Sequence, residues 1–322
     1  MSVMPKRPPF DVELEAVLAL LGDEIPSTVT PDMLDSLRID QASLPIAEII
    51  ANRPIAHSER VIPGPDGQPD LVVSIFTRTD HVEGGPGFYH IHGGGMIMGD
   101  RHKGIDVVLE WVELMDAVAV SVEYRLAPEH PDPAPVEDCY AGLVWTAENA
   151  DELGFDARRL MIVGGSAGGG LAAGVALMAR DRGTPALVGQ VLIYPMLDDR
   201  NATVSSYQID GEGVWDRRSN DTGWDALLGD RRKTDRVSIY ASPSRATDLS
   251  GLPPTFIEVG TTEVFRDEDV AYASGIWAVG GQAELHVWPG GFHGFDLTAP
   301  QAALSVIARE TRTRWVRRTL GV

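Results

Sequence analysis

The chain has 322 residues, 43% of them hydrophobic, which is enough to build a sizeable core and excludes a disordered or fibrous protein. Its formal net charge of −20 would repel phosphate backbones and anionic headgroups, so we expect neither a nucleic-acid partner nor an acidic membrane surface. Cys139 is the single cysteine, which excludes an intramolecular disulfide and a multi-thiolate metal site.

The first fifty residues predict helices near residues 12–21 and 31–38, ahead of the strand-rich part of the chain. We interpret residues 1–50 as an N-terminal helical segment of a cap. The opening stretch carries acidic residues and lacks a small-residue cleavage site, so no signal peptide is expected. No run of about 18 apolar residues could span a bilayer. We therefore expect a soluble, cytoplasmic protein without membrane insertion.

From residue 61 to residue 322, short β-branched runs alternate with stretches of helical period, which is typical of a mostly parallel sheet covered by helices. We therefore predict one α/β domain over residues 51–322. The predicted strands are residues 71–77, 87–91, 118–124, 160–163, 188–194, 255–259 and 284–288.

A histidine and three glycines, His92-Gly93-Gly94-Gly95, follow the second of these strands. Backbone amides approach a bound group closely only where side chains are absent, so the run suits an oxyanion site. A simple glycine-rich turn is one alternative, and a metal pair of His90 and His92 on one strand face is another. Because no H-E-x-x-H motif is present and the remaining histidines show no ligand spacing, we expect no metal.

The sequence GGSAG at residues 164–168 joins a predicted strand directly to small, helix-compatible residues. This is a G-x-S-x-G nucleophile elbow in its required strand–turn–helix context. Its glycines allow the strand and helix to approach closely, which presents Ser166 Oγ at the carboxyl edge of the sheet. Taken alone, the motif leaves a nucleotide-binding turn open, since residues 168–173 also match a relaxed G-x-G-x-x-G/A pattern inside the predicted helix.

Three motifs occur in order along the chain: His92-Gly-Gly-Gly95, Tyr124-Arg-Leu-Ala-Pro-Glu-His-Pro131 and the Ser166 elbow followed by Gly169. Together they resemble the hormone-sensitive-lipase-like family of α/β-hydrolase esterases over roughly residues 55–320. The resemblance implies an eight-stranded, mostly parallel sheet flanked by helices, a helical cap, and hydrolysis of small, short-acyl carboxylic esters. Gly165 departs from the family, which commonly has aspartate or threonine before the serine.

The same resemblance implies that the backbone amides of Gly94, Gly95 and Ala167 bind the oxyanion, with Gly93 shaping the turn. Ala167 has independent support, because the residue after the nucleophile lies at a helix amino terminus.

The stretch from about residue 199 to 244 interrupts the strand–helix alternation and is rich in polar residues and glycine. We interpret it as a cap insertion that closes over the substrate, with Tyr207 and Trp215 in the pocket. A long surface excursion is the alternative.

A serine nucleophile needs a histidine base and a carboxylate that orients it, here in the chain order serine, acid, histidine. His293 follows the strand at residues 284–288 and is expected at the carboxyl edge, whereas His286 lies inside that strand. Residues 256–268 resemble the family's strand and D-x-L-R-D-E loop, with Glu263 where aspartate is usual. Asp267 is the alternative acid, although it also suits the amino terminus of the next helix.

The final helix is predicted to bury one face made of Leu304, Ile307, Thr311 and Trp315. Five arginines are expected largely around that face: Arg309, Arg312, Arg314, Arg317 and Arg318.

The predicted reaction is acyl transfer through a covalent acyl-enzyme on Ser166, which needs no cofactor. An amide, lactone or carbamate hydrolase would use the same residues. A non-catalytic ligand-binding protein with this fold is the alternative from another class. The predicted partner is a small ester substrate, and a homodimer is left open.

Overall fold

The computed structural model describes residues 6–22, 25–40 and 42–322. An eight-stranded sheet has the strand order β1-β2-β4-β3-β5-β6-β7-β8. Strand β2 pairs antiparallel with β1 and β4, and all other neighbouring strands pair in parallel. The strands are β1 Ile55–Ile62, β2 Leu71–Arg78, β3 Gly85–Ile91, β4 Val118–Glu123, β5 Phe155–Gly165, β6 Gly189–Ile193, β7 Thr255–Gly260 and β8 Ala283–Trp288.

The predicted eight-stranded, mostly parallel sheet is confirmed, and each of the seven predicted strands overlaps an observed one. Strand β1 was not predicted from the residues. Its sequence, IAHSERVI, is buried only at the two end residues, because β1 is an edge strand with one paired neighbour. Such a strand lacks the apolar run that marks the central strands.

Helices cover the sheet, and α7 (Ala167–Arg182) packs against β5 and β6 beside α5 (Ala134–Glu148). Trp111 of α4 (Asp106–Met115) donates its indole N–H to Thr313 Oγ1 of α12 (Ala303–Leu320) at 3.0 Å. Among the described residues, no helix combines the length and apolarity needed to cross a membrane. The helices are α1 Val12–Leu21, α2 Leu34–Asp40, α3 Ile46–Ile49, α4 Asp106–Met115, α5 Ala134–Glu148, α6 Ala150–Leu153, α7 Ala167–Arg182, α8 Val204–Gln208, α9 Arg217–Leu228, α10 Arg266–Ala278, α11 Phe295–Thr298 and α12 Ala303–Leu320.

Helix α12 departs from its predicted orientation. Ile307 is 51% exposed, whereas Arg312 is only 1% exposed. The buried stripe is instead Ser305, Ala308, Arg312, Trp315, Val316 and Leu320. An arginine therefore lies on the core face of this helix, where a charge needs partners.

The segment around α2 is fixed to the main domain by Arg38. Its guanidinium donates to the carbonyl oxygens of Ile97 at 2.8 Å and Ala127 at 2.9 Å, and makes two 2.8 Å bonds to the Glu129 carboxylate. Leu34 and Leu37 on the same helix are buried. Polar and apolar contacts together dock this segment beside the loop after β3.

We expect Arg38→Gln to loosen α2 without unfolding the sheet, because the side chain makes several charge-assisted bonds there. Losing them should lower the local opening free energy by about 1–3 kcal/mol, which corresponds to about 5- to 150-fold faster amide exchange in residues 31–40. Hydrogen–deuterium exchange measures this. Arg314→Gln, at an exposed ion pair with Glu310, is the matched control. Unchanged exchange in residues 31–40 would contradict the interpretation.

Candidate active site

Ser166 lies at the sharp turn between β5 and α7, with φ 59° and ψ −126°. This conformation is unusual for a residue with a side chain and is typical of a strained functional turn. The backbone is held on both sides: the Ser166 N–H donates to Ile193 O at 2.9 Å, and its carbonyl accepts from Gly170 and Met196 at 3.0 Å each. The turn is thus fixed by its neighbours.

The glycines around Ser166 allow a close approach of backbones. A Cβ atom on Gly164 would lie 2.1 Å from Gly168 O, and one on Gly168 would lie 2.1 Å from Ile91 O. A Cβ on Gly170 would lie 2.1 Å from Met196 O. Gly168 and Gly170 lie inside α7. Close packing of the helix therefore explains the G-x-G-x-x-G/A pattern, which the sequence had left open as a nucleotide-binding turn.

The three predicted catalytic side chains lie in one hydrogen-bonded line. Ser166 Oγ is 2.9 Å from His293 Nε2, and His293 Nδ1 is 3.1 Å from Glu263 Oε1. Glu263 Oε2 also accepts the Gly260 N–H at 3.2 Å, and its side chain is fully buried. The arrangement has a nucleophile, a base in contact with it and a carboxylate that orients the base.

Two aromatic rings enclose the imidazole of His293. The Tyr194 ring centroid is 4.8 Å away at 71°, and the Phe265 ring centroid is 5.1 Å away at 82°. Both are edge-to-face contacts, which favour one ring orientation. The histidine is therefore held by packing as well as by its two hydrogen bonds.

Two further carboxyl groups, Glu268 and Asp269, are buried near Glu263. Burial, followed by the neighbouring carboxylates, raises the pKa of each well above its ordinary range. Glu268 accepts the backbone N–H groups of Leu197 and Asp198 at 2.7 and 3.1 Å. A raised pKa favours the uncharged acid, which limits the negative charge around Glu263.

The alternative acid, Asp267, lies elsewhere. Its carboxylate accepts the Ser205 N–H at 2.7 Å and an Arg266 N–H at 2.8 Å, so it joins the start of α10 to α8. His286 has other partners than Ser166: its ring stacks on Trp288, and its Nε2 lies 3.0 Å from Glu284 Oε1. The structure brings Glu263, rather than Asp267, to His293.

The glycine loop after β3 lies directly against Ser166. A Cβ on Gly93 would be 2.8 Å from Gly165 O and 3.3 Å from Ser166 Cβ. Gly94 has φ +115° and Gly95 has φ +64°, conformations that favour glycine. Ala167, the first residue of α7, brings a helix amino terminus to the same place.

Tyr124, from the second family motif, supports the start of this loop. Its ring stacks on His92 with centroids 4.1 Å apart, and its hydroxyl donates to His92 O at 3.0 Å. His92 Nδ1 donates to Gly93 O at 2.8 Å. Burial lowers the pKa of His92 to about 4, so the neutral ring is favoured and Nδ1 carries its proton.

The pair His90 and His92, which the sequence left as an alternative metal site, belongs to no group of three or more metal-ligating side chains among the described residues. The described group with metal-ligand spacing is His57, Glu59 and His102. There Arg101 already supplies a positive charge, since it pairs with Glu59 and donates to Ser74 Oγ at 2.8 Å.

A cavity of about 670 Å³ opens above Ser166 and His293. Its volume falls within the range of small-molecule sites. Trp215 lines it as predicted, with its ring near Gly95. The cavity is also lined by apolar residues that the sequence reasoning did not single out: Val29, Met33, Leu37, Met98, Val107, Tyr194, Val214 and Leu297. The spacing of Met33 and Leu37 was an available signal, because i, i+4 positions share a helix face, whereas Val29 precedes the helical segment.

Tyr207 is placed differently from its prediction. It is 41% exposed and does not line this cavity. Helix α8 turns its ring outward, where the Arg217 guanidinium covers it at 3.9 Å from the centroid. The aromatic ring contributes a cation–π contact within the 199–244 segment instead of a pocket wall.

Residues 88–297 match the family model described as an alpha/beta hydrolase fold. Carboxylesterase NlhH of Mycobacterium tuberculosis is 34% identical over 300 residues, covering 90% of this chain and 92% of that protein. This chain belongs to the hormone-sensitive-lipase-like family of α/β-hydrolases.

Solved structures agree with this family, as the sequence predicted. A bacterial heroin esterase superposes with a TM-score of 0.89 and 37% identity, covering 97% of this chain and 98% of that one. Esterase LipW from Mycobacterium marinum gives a TM-score of 0.81 and 30% identity, with 98% of each chain covered.

We expect Gly94→Ala to reduce kcat at least about 100-fold, because the added Cβ would lie 2.1 Å from Met98 O and displace the loop. Gly67→Ala is the matched control. Gly67 also has a positive φ, +73°, but nothing lies within 4 Å of its Cβ position, so only a stability loss of about 1–2 kcal/mol is expected. Ester hydrolysis and thermal melting measure the two effects. Near-normal kcat in Gly94→Ala would show that the loop does not serve catalysis.

Proposed function

We propose that this chain is a serine carboxylesterase that hydrolyses small, short-acyl carboxylic esters. The observation that carries the proposal is the line of contacts from Ser166 Oγ through His293, 2.9 Å, to Glu263, 3.1 Å, below an open cavity. Carboxylesterases and other esterases among the relatives support the same reaction class.

In the first half-reaction, His293 Nε2 removes the proton of Ser166 Oγ as the oxygen attacks the ester carbonyl carbon. The carbonyl oxygen becomes an oxyanion, and we assign the backbone N–H groups of Gly94, Gly95 and Ala167 as its donors. Glu263 accepts the His293 Nδ1 proton in a hydrogen bond and stabilises the imidazolium. His293 then protonates the leaving alcohol as the carbon–oxygen bond breaks, which leaves an acyl-enzyme.

In the second half-reaction, His293 removes a proton from water, and the hydroxide oxygen attacks the acyl carbon. The same amides bind the second oxyanion. Collapse breaks the bond to Ser166 Oγ, which takes the proton back from His293, and the carboxylic acid leaves. Atoms and charges balance over the cycle without a cofactor.

The cavity wall supports an uncharged substrate of modest size. Most of the side chains that line the cavity are apolar. The Trp215 ring lies beside Gly95, so the space next to the glycine loop is limited on that side. A short acyl group is the substrate portion that suits this restricted side.

We also propose that the segment before residue 50 and the segment at 199–244 act together as a cap. Val29 N–H donates to Ser219 Oγ at 2.8 Å, and Thr222 Oγ1 donates to Val29 O at 2.9 Å. Thr28 Oγ1 donates to Asp216 at 2.6 Å. Both segments line the cavity, through Leu37 on one side and Trp215 on the other.

Residues 1–5, 23–24 and 41 of the predicted cap lie outside the described residues. The cytoplasmic location stays a prediction, and a homodimer stays open.

We expect Ser166→Ala to lose at least about a thousand-fold in kcat on p-nitrophenyl acetate while remaining folded, because the acyl-enzyme cannot form. A fluorophosphonate probe should label the unmodified protein stoichiometrically at Ser166 and leave the variant unlabelled. Equal turnover by both proteins would contradict the proposal, and an unreactive unmodified protein would favour a ligand-binding function. Matched p-nitrophenyl esters, anilides and lactones then separate the ester from other acyl bonds.

We expect Glu263→Gln to lower kcat about 10³- to 10⁴-fold, because a neutral amide no longer fixes the histidine tautomer or stabilises the imidazolium. Asp267→Asn is the matched control: it removes one negative charge from a neighbouring position that contacts Ser205 and Arg266. Its kcat should stay within about threefold of the unmodified protein. Steady-state kinetics with circular dichroism measure both, and the reverse pattern would assign the role to Asp267.

A further inference from the structure

Arg312 of α12 is buried between two carboxylates. Its Nε donates to Glu258 Oε1 at 2.5 Å, and its NH2 group donates to Asp296 Oδ2 at 2.6 Å. Both acids are also buried. The other oxygen of Glu258 accepts the Trp288 indole N–H at 2.9 Å, and the other oxygen of Asp296 accepts the Tyr194 hydroxyl at 2.9 Å. Three charged groups and two neutral donors thus form one connected network.

A network of this kind carries a desolvation cost in folding free energy, because burial removes water from every charged group. Burial raises the pKa of Glu258, whereas Arg312 opposes that change. For Arg312, burial acts to lower the pKa, but the two carboxylates outweigh it and the pKa is raised, so the guanidinium stays charged. An apolar residue on α12 would dock the helix without this cost, so the reason for an arginine lies in the partners that it joins.

Each acid partner of Arg312 lies on an element that adjoins a loop with one predicted catalytic residue. Glu258 lies on β7, two residues before Gly260, whose N–H donates to Glu263. Asp296 lies on α11, three residues after His293. Through Asp296 the network also reaches Tyr194, the residue directly after β6.

Tyr194 links the network to the nucleophile and the base together. The residue before it, Ile193, accepts the Ser166 N–H, and the Tyr194 N–H donates to Glu258 O at 2.6 Å. Its φ of 37° is unusual for a residue with a large side chain. The Tyr194 ring lies edge-to-face on His293, and the bond from its hydroxyl to Asp296 anchors the far end of the Tyr194 side chain.

We propose that Arg312 and Tyr194 are positioning residues for the esterase reaction: Arg312 holds the ends of β7 and the His293 loop together, and Tyr194 sets the orientation of the His293 ring. This inference rests on the proposed function. Neither side chain is assigned a contact with the reacting atoms, and both act through His293 and Glu263.

The decisive variant is Tyr194→Phe, because it keeps the ring in the cavity wall and removes only the hydroxyl. Asp296 retains Arg312, so no buried charge loses its only partner. We expect kcat to fall about five- to twentyfold with KM within about twofold of the original value, and fluorophosphonate labelling to slow by a similar factor. A residue that only stabilised the fold would leave kcat of the folded protein unchanged.

Arg312→Lys tests the other half of the proposal. Lysine keeps the charge but lacks the planar fork that reaches two acids at once. We expect a similar fall in kcat and a lower melting temperature. The matched control is Arg125→Lys, which alters a second guanidinium paired with a buried acid, Asp138, through bonds of 2.7 and 2.8 Å. It should lower the melting temperature while kcat stays within about twofold.

All kinetics are measured well below the lowest melting temperature. The inference is overturned if Tyr194→Phe and Arg312→Lys keep the original kcat, or if Arg125→Lys loses as much activity as Arg312→Lys. An unmodified protein that neither hydrolyses esters nor labels at Ser166 would instead overturn the proposed function. The two failures are therefore distinguishable.

Discussion

The close approach of helix α7 to the ends of β3 and β5 is the constraint on which the rest of the site depends. A side chain at Gly164 or Gly168 would overlap a backbone carbonyl at 2.1 Å, so both positions require glycine. Because α7 starts immediately after Ser166, its amino terminus and the glycine loop at residues 93–95 face the same point. A strained serine, a helix terminus and the glycine loop converge there as a consequence of packing.

Buried charge around the site is handled in two different ways. Near Glu263, the acids Glu268 and Asp269 have a raised pKa because of burial, so the uncharged forms are favoured and the local field stays moderate. Beneath His293, the acids Glu258 and Asp296 instead share one guanidinium. The first arrangement preserves a single orienting carboxylate. The second provides fixed, directional bonds, which suits the placing of loops.

The cavity is built by segments far apart in sequence, whereas the sequence motifs are local. Local motifs located Ser166 and His293 because the strand–turn–helix context and the loop after a strand are short-range features. Strand β1 escaped notice because a polar edge strand has no apolar run. Tyr207 was assigned to the pocket from its aromatic character, but the direction of α8 turns it toward Arg217. Composition of a segment does not determine which way a side chain points.

The sequence by itself determined the strand–helix alternation, the family, and the order of glycine loop, serine, acid and histidine, because each is written in neighbouring residues. Two signals of the Arg312 network were also present: a glutamate within the apolar strand β7, and an arginine on the stripe of Ala308, Trp315 and Leu320. Only the tertiary structure joined them. Pairing among residues 194, 258, 296 and 312 depends on how four elements pack, and no local pattern encodes that distance.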